Sequence, residues 1–287
     1  MMESSPICNE EFLHDDVVKF YDLISDCISK KLSMTENRIY LSHSNWKSHN
    51  SDSSVLCKID TDRYVCLKKY DDDISNSMRQ ELMTAQLKQK VGFPHYNIIK
   101  SSNLLLRRKI SQKNHEFFNG WEKKDFLIID FGNYANTNNL RDVPFDKIKD
   151  FESFCNYYGS WAAFNYLFGI QDRNIENFVY YQDTGIIHSV DCEYGPFDWK
   201  GRNVGVLNII FETRKVFDRF INNSTSTQCR KFLNDGFIRG WHLIEKNADK
   251  IDILNNDELV LFKKRLEDNP EQIARIFFEY TNRWNKL

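Results

Sequence analysis

The sequence predicts an α+β protein in which a small antiparallel-sheet lobe precedes a larger, mainly helical lobe. Two runs rich in β-branched and aromatic residues, 55–60 and 63–70, stand next to each other and indicate a strand pair. A second pair of runs, 178–181 and 186–190, flanks the turn signal Gln-Asp-Thr-Gly and indicates a hairpin. Beyond Val206 the pattern is helical, which predicts helices for the remainder of the sequence.

Two further helices are predicted around the first strand pair. Apolar side chains recur at helical spacing within residues 1–30, and we expect this helix to pack on the small lobe, with a partner helix or a membrane surface as the alternative. The S-x-x-Q capping pattern at residues 77–80 starts the other helix. It runs to about Lys90, because Gly92 and Pro94 follow.

Loops and helices are predicted around the second hairpin. Residues 111–124 and 133–144 are polar and rich in turn residues, which is typical of loops. A helix is predicted over residues 151–168, where Gly169 ends it. Four helices follow the hairpin, at residues 207–222, 227–247, 256–268 and 270–285.

Composition excludes several classes of protein. Of 287 residues 41% are hydrophobic, and 39 basic side chains are balanced by 41 acidic ones, so no nucleic-acid-binding surface is predicted. No apolar run is long enough to cross a membrane, and residues 1–16 carry too many charges for a signal peptide. The cysteines are scattered and form no C-x-x-C pair, so neither a disulfide framework nor a zinc site is predicted. We therefore expect a cytoplasmic protein.

Three oxygen-bearing side chains lie where the predicted hairpin can bring them together. Asp172 follows a helix, Asn177 precedes the first strand of the hairpin, and Asp191 follows the second. If the strands pair around their turn, Asn177 falls opposite Val190 or Asp191, and facing residues hold their Cβ atoms roughly 5 Å apart. The amide oxygen and the carboxylate can then bind one Mg²⁺ ion, which prefers oxygen ligands.

The spacing from Asp172 to Asn177 is that of the kinase catalytic loop. In that loop the aspartate accepts the proton of the substrate hydroxyl and the asparagine binds metal. Such short spacings also arise by chance. The alternative is a turn-capping Asp172, with Asn177 and Asp191 at the ends of strands.

A lysine and a glutamate precede this trio in the order that a nucleotide site requires. The run Val-Cys-Leu-Lys on the second predicted strand ends at Lys68 and resembles the V-A-I-K run of kinases, and Glu81 lies in the first turn of the following helix. A strand lysine that binds phosphates needs a carboxylate to hold it, as in the kinase ion pair. Lys69 is the alternative lysine, and solvated surface charges are the alternative interpretation of Lys68 and Glu81.

Three segments occur in an order more specific than any one of them. They are Lys68 with the aspartates at 71–72 and the R-Q-E-L run at 79–82, then G-I-Q-D-R-N-I-E-N at 169–177 with I-H-S-V-D at 187–191, then F-I-R-G-W at 237–241 with N-A-D-K-I at 247–251. Together they resemble the catalytic domain of the phosphatidylinositol 3- and 4-kinase group, within the wider protein-kinase-like superfamily. HipA-like bacterial protein kinases share F-N-Y-L at 164–167 and the D-R-x-x-x-N loop, and are the close rival.

The resemblance implies an ATP- and Mg²⁺-dependent phosphotransferase with a two-lobed protein-kinase-like fold. It implies an N-terminal lobe with a leading helix in residues 1–128, an interlobe linker in 129–133, and a mainly helical C-terminal lobe with the catalytic loop in 134–287. The D-F-G run at 130–132 is interpreted as part of this linker, since it stands before the catalytic loop and the metal aspartate must follow it. A plain core strand is the alternative.

The resemblance also implies a role for each candidate site residue. Lys68, held by Glu81, binds the ATP phosphates, Asn177 and Asp191 bind Mg²⁺, and Asp172 deprotonates the attacking hydroxyl. Arg173 steadies Asp172 or the transferring phosphate, unless it pairs with a neighbouring acid. The remaining implied roles are phosphate binding by Ser51, Ser53 and Ser54, and adenine binding by the backbone of Ile129, Asp130 and Phe131.

Three departures from kinase patterns bear on activity. Asn174 stands where the family has a catalytic-loop histidine, and Cys192 with Glu193 follows Asp191 where Phe-Gly is usual. A serine-rich segment also stands where other kinases have a glycine-rich loop. These departures favour, as an alternative of another class, a pseudokinase that binds nucleotide or a partner without turnover.

The phosphate acceptor is expected to be a protein serine or threonine hydroxyl. Lipid kinases of this group offer basic residues to the inositol head group after the metal aspartate, and here only Lys200 and Arg202 are candidates. A phosphoinositide is therefore the alternative acceptor. The sequence predicts no oligomeric state.

Overall fold

The chain is a mixed helical and antiparallel-sheet protein. The computed structural model describes residues 54–58, 63–69, 75–101, 126–133, 137–170, 175–190 and 226–279. Its contacts divide the chain into a smaller unit, Met1–Arg79 with Tyr96–Ala135, and a larger unit, Gln80–His95 with Asn136–Leu287. Helix α1 (Ser75–Val91) therefore counts mostly with the larger unit.

Four antiparallel strands form the sheet of the smaller unit. They are arranged in the order β1-β2-β4-β3, and their bounds are Ser54–Lys58 for β1, Arg63–Lys69 for β2, Asn97–Ser101 for β3 and Phe126–Asn133 for β4. Side chains alternate along a strand, and Leu127, Ile129 and Phe131 are all buried on one face of β4. Tyr96 packs edge-on against Phe131, with 4.7 Å between the ring centroids. Strands β1 and β2 pair antiparallel, which confirms the first predicted strand pair.

Residues 129–133, which were expected to link two lobes, lie inside strand β4. This strand pairs with β2 as far as Asn133 and with β3 as far as Asp130. The alternating apolar residues of the segment explain why it is a strand rather than a linker loop. Whether it also connects two lobes stays a prediction.

A three-stranded antiparallel sheet lies in the larger unit. Its order is β5-β6-β7, with β5 at Thr137–Asn139, β6 at Phe178–Tyr181 and β7 at Ile186–Ser189. The β6–β7 hairpin is confirmed, and Gly185 in its turn has φ 73°, a conformation that favours glycine. The predicted 133–144 loop is wrong at β5, because the buried Thr137 and its neighbours gain strand geometry from pairing with β6.

Four helices complete the described part of the larger unit. They are α2 at Phe151–Leu167, α3 at Ser226–Lys246, α4 at Asn256–Leu266 and α5 at Pro270–Glu279. Asp150 caps α2 by accepting the Glu152 N–H, and Asn255 forms a capping box with Glu258 at α4. The helices predicted at 151–168, 227–247 and 256–268 are confirmed, and α5 starts where the last one was predicted. The predicted helices at 1–30 and 207–222 and the 111–124 loop lie outside the described residues. Among the described helices, none combines the length and apolarity that a membrane span requires.

Helices α2 and α3 approach each other closely through glycines. An added Cβ at Gly236 would lie 2.3 Å from the Asn156 carbonyl oxygen, and one at Gly159 would lie 2.2 Å from the Leu233 carbonyl oxygen. The Ser160 hydroxyl adds a hydrogen bond to the Gly236 carbonyl at 2.8 Å. Here the lack of a side chain sets the interhelical distance.

Aromatic side chains attach α4 and α5 to this helix pair. Phe262 of α4 stacks on Phe168, with 5.0 Å between the centroids. On the other side, Phe277 and Phe278 of α5 contact Phe237 of α3 at 5.4 and 6.2 Å. The core of the larger unit therefore extends outward from the α2–α3 crossing.

Gly236→Ala is expected to destabilise the protein by about 2 kcal/mol, because overpacking against backbone atoms outweighs the gain in helix propensity. The free energy of unfolding from urea titration measures this change. Asp235→Ala is the matched control, since it gives the same product residue at an exposed position of the same helix. A Gly236→Ala variant as stable as this control would contradict the close crossing.

Candidate functional site

The structure describes part of the predicted site. Lys68, Glu81, Asn177 and residues 129–131 lie within the described ranges, and Ser54 is described through its backbone. The remaining predicted site residues lie outside them: Ser51, Ser53, Asp172, Arg173, Asp191, Lys200 and Arg202.

The β6–β7 hairpin brings Asn177 opposite Val190, one of the two partners expected from the sequence. The strands pair in continuous register, and the Val190 N–H donates to the Asn177 carbonyl at 2.8 Å. Asn177 ends a 3-10 turn at residues 175–177, and its side chain is half-buried. The asparagine therefore lies directly across from the residue that precedes Asp191.

Lys68 is buried in the sheet of the smaller unit. It lies in β2, with Ser54 of β1 and Leu127 of β4 as its cross-strand neighbours, and is 7% exposed. Lysine side chains are rarely so buried, because removing an ammonium from water is costly. Ser54, the last of the candidate phosphate-binding serines, is thus directly beside the candidate phosphate-binding lysine. Lys69 stays the alternative lysine.

Glu81 begins a row of buried polar side chains along α1 in the larger unit. Glu81, Thr84 and Lys88 are 4%, 0% and 5% exposed. They are spaced by three and four residues and share one face of the helix. Because Lys68 and Glu81 are both buried, the interpretation of these two residues as solvated surface charges is wrong.

The predicted adenine-binding segment is held within the smaller sheet. Ile129 and Asp130 lie between β2 and β3 and pair with residues of both strands. Backbone groups of a central strand are used by the sheet ladders. Phe131 lies at the register shift between β2 and β4 and beyond the last paired residue of β3. Adenine binding by this segment stays a prediction.

A buried lysine that the sequence did not single out contacts the end of β7. The Lys88 Nζ donates to the Ser189 carbonyl at 2.9 Å and lies 5.4 Å from the ring centroid of Trp161. The Trp161 Nε1–H in turn donates to the Ile187 carbonyl at 2.8 Å. These two side chains hold β7 from the side opposite β6.

Nothing in the local sequence signalled this contact, and the spacing from Glu81 shows only that Lys88 shares its face of α1. Seven residues separate them, which is about two turns of helix, or roughly 10 Å along its axis. The partner, Ser189, is 101 residues away in the sequence. A local pattern cannot reveal a contact at such a separation.

His188 of β7 is held in its neutral form near Lys88. Its Nδ1 is enclosed by protein and its ring packs at 4.8 Å on Tyr181. Burial, followed by the nearby positive charge of Lys88 and by His95, lowers the pKa of His188 from its ordinary 6.5 to about 3. The histidine is therefore uncharged at neutral pH.

Lowering the pH from 7 to 5 is expected to destabilise the protein through His188. The unfolded chain binds the proton more readily, so stability is complete above the ordinary pKa of 6.5 and is lost as the pH falls towards 3. At pH 5 the loss from this group is up to about 2 kcal/mol.

His188→Gln is expected to flatten the slope of unfolding free energy against pH between 7 and 5, as measured by urea titration. His242→Gln, at an exposed position of α3, is the control. Equal slopes for wild type and His188→Gln would argue against a buried neutral imidazole.

The described residues contain no group of three His, Cys, Asp or Glu side chains arranged to hold a metal ion. The predicted ligands are of a different kind, because Asn177 is an amide and Asp191 lies outside the described ranges.

A scan against protein-family models found no match, and a search of curated proteins found no similar sequence. The candidate site therefore depends on the residues of this chain alone.

Proposed function

We propose that this protein is an ATP- and Mg²⁺-dependent phosphotransferase with a two-lobed protein-kinase-like fold, resembling the phosphatidylinositol 3- and 4-kinase group. The observation that carries the proposal is the register of the β6–β7 hairpin. Val190 bonds to Asn177 across the hairpin at 2.8 Å, and Asp191 is the next residue. Asn177 thus lies across the hairpin from the residue that precedes Asp191 in the sequence.

The donor set fits Mg²⁺. Asn177 supplies a neutral amide oxygen from a half-buried position, and Asp191 would supply the charged oxygen. Mg²⁺ binds through one or two protein oxygens and completes its shell with water and phosphate. When bound, the ion would supply charge neutralisation for the β- and γ-phosphates of ATP.

Burial of Lys68 and Glu81 supports a nucleotide site. A buried ammonium or carboxylate is retained in folded proteins where it has a charged or polar task. In the proposal Lys68 binds the phosphates, and Glu81 holds the lysine. Lys68 and its neighbour Ser54 lie on adjacent strands, which suits the binding of one phosphate chain by both.

The remaining roles fall to residues outside the described ranges. Asp172 holds the attacking hydroxyl and accepts its proton, and Arg173 steadies Asp172 or the transferring phosphate. Phosphoryl transfer needs positioning and charge stabilisation more than covalent participation of the protein. We propose a protein serine or threonine hydroxyl as the acceptor, because Lys200 and Arg202 are the only basic residues offered to an inositol head group between Asp191 and Gly205.

Asp191→Asn is expected to lower Mg²⁺-dependent phosphate transfer by about 10²-fold or more, because it removes a charge that stabilises the transition state through the metal. The measurement is transfer from labelled ATP to a generic protein substrate, to mixed phosphoinositide vesicles, and to the protein itself. Asp183→Asn makes the same chemical change at the exposed turn of the same hairpin and is expected to retain wild-type transfer.

Wild-type transfer by Asp191→Asn would refute the metal assignment, and transfer to lipid in preference to protein would refute the acceptor. A thermal shift with ATP and Mg²⁺ separates turnover from binding, since a ligand that binds only the native state raises its stability. A shift without transfer in the wild-type protein would identify a pseudokinase instead.

A further inference from the structure

The outer edge of β7 is closed by side chains. In the described part of the chain, β7 is an edge strand of the three-stranded sheet, and its carbonyls at Ile187 and Ser189 accept hydrogen bonds from Trp161 and Lys88. Edge strands otherwise expose such groups to water or to another strand. Trp161 and Lys88 therefore fix both ends of the strand from the side that β6 leaves open.

A lysine is an unusual choice at position 88 if the side chain only fills space in the core. Lys88 is 5% exposed, and burying an ammonium is costly unless strong polar contacts compensate it. A methionine has nearly the same length and would be buried without that cost. Among the contacts of the ammonium is a charge-assisted hydrogen bond to the Ser189 carbonyl.

That carbonyl belongs to the residue pair next to Asn177 and Val190 in the hairpin. Ser189 faces Phe178 across the hairpin, and the next residue, Val190, bonds to Asn177 at 2.8 Å. Two peptide units separate Ser189 from Asp191, which limits their Cα separation to about 7 Å. A shift at Ser189 would therefore reach both proposed metal ligands.

We propose that Lys88 is a positioning residue for the metal site: by holding the Ser189 carbonyl it fixes the end of β7, and with it Asn177, which accepts a hydrogen bond from the Val190 N–H. This inference rests on the proposed phosphotransferase function. Trp161 assists by lying under the ammonium and by fixing Ile187, and its own ring is held against Phe93 at 5.1 Å between centroids.

The test is Lys88→Met, which removes the ammonium and keeps the length of the side chain. The concentration of Mg²⁺ that gives half-maximal transfer is expected to rise about 10–100-fold, as for loss of a group that orients metal ligands, with a smaller change in kcat at saturating Mg²⁺. Lys88→Arg is expected to restore most of the Mg²⁺ affinity, since it keeps a charged donor. Lys90→Met is the matched control, because this lysine of the same helix pairs with Asp252 at 2.8 Å instead.

A second readout does not require activity. Hydrogen exchange at the Val190 amide, which bonds to Asn177, is expected to accelerate in Lys88→Met and not in Lys90→Met. If Lys88→Met does not fold, Lys88→Gln serves in its place and is expected to show the same rise in Mg²⁺ requirement.

Wild-type Mg²⁺ dependence in a folded Lys88→Met or Lys88→Gln variant would overturn the positioning role while leaving the phosphotransferase intact. A loss of kcat alone, with unchanged Mg²⁺ dependence, would overturn it as well. A wild-type protein that neither binds nor uses MgATP would overturn the proposed function, and this inference with it.

Discussion

The close crossing of α2 and α3 organises the larger unit. Glycines at 159 and 236 allow backbone to approach backbone, and any side chain there would collide with a carbonyl oxygen of the other helix. Close-packed interiors transmit such local shape to their surroundings. Trp161 of α2 donates a hydrogen bond to the Ile187 carbonyl of β7, so α2 contacts both α3 and the hairpin. The hairpin that carries Asn177 is thus linked through Trp161 to the helix crossing.

Three charged side chains of this protein are buried. Lys68 in the smaller unit and Glu81 and Lys88 in the larger unit are all less than a tenth exposed. Each lowers stability unless its surroundings compensate for lost hydration. Proteins keep such groups at functional sites and also in structural ion-pair networks. The sequence alone could not decide the burial of Lys68 and Glu81, and their role as site residues stays a prediction.

Local patterns allowed much of the fold to be predicted. The β6–β7 hairpin follows from two β-branched and aromatic runs around a glycine turn, and that turn fixes the register that sets Asn177 opposite Val190. Helix bounds were predictable where glycines mark them, as at Gly169, which follows the end of α2 with φ 61°. Strand β5 was missed because its Thr-Asn-Asn sequence has little strand propensity and depends on pairing with β6. The contact from Lys88 to Ser189 was missed because no local pattern encodes it.

Two cysteines that suggested nothing in the sequence meet at the helix crossing. Cys155 of α2 and Cys229 of α3 are buried with 3.8 Å between their sulfur atoms, and burial raises the pKa of the Cys155 thiol. Alkylating reagents attack the thiolate, so the closed protein protects this pair. Modification at these two positions then requires the helices to separate. The rate at which these two thiols are alkylated therefore reports how often the core of the larger unit opens.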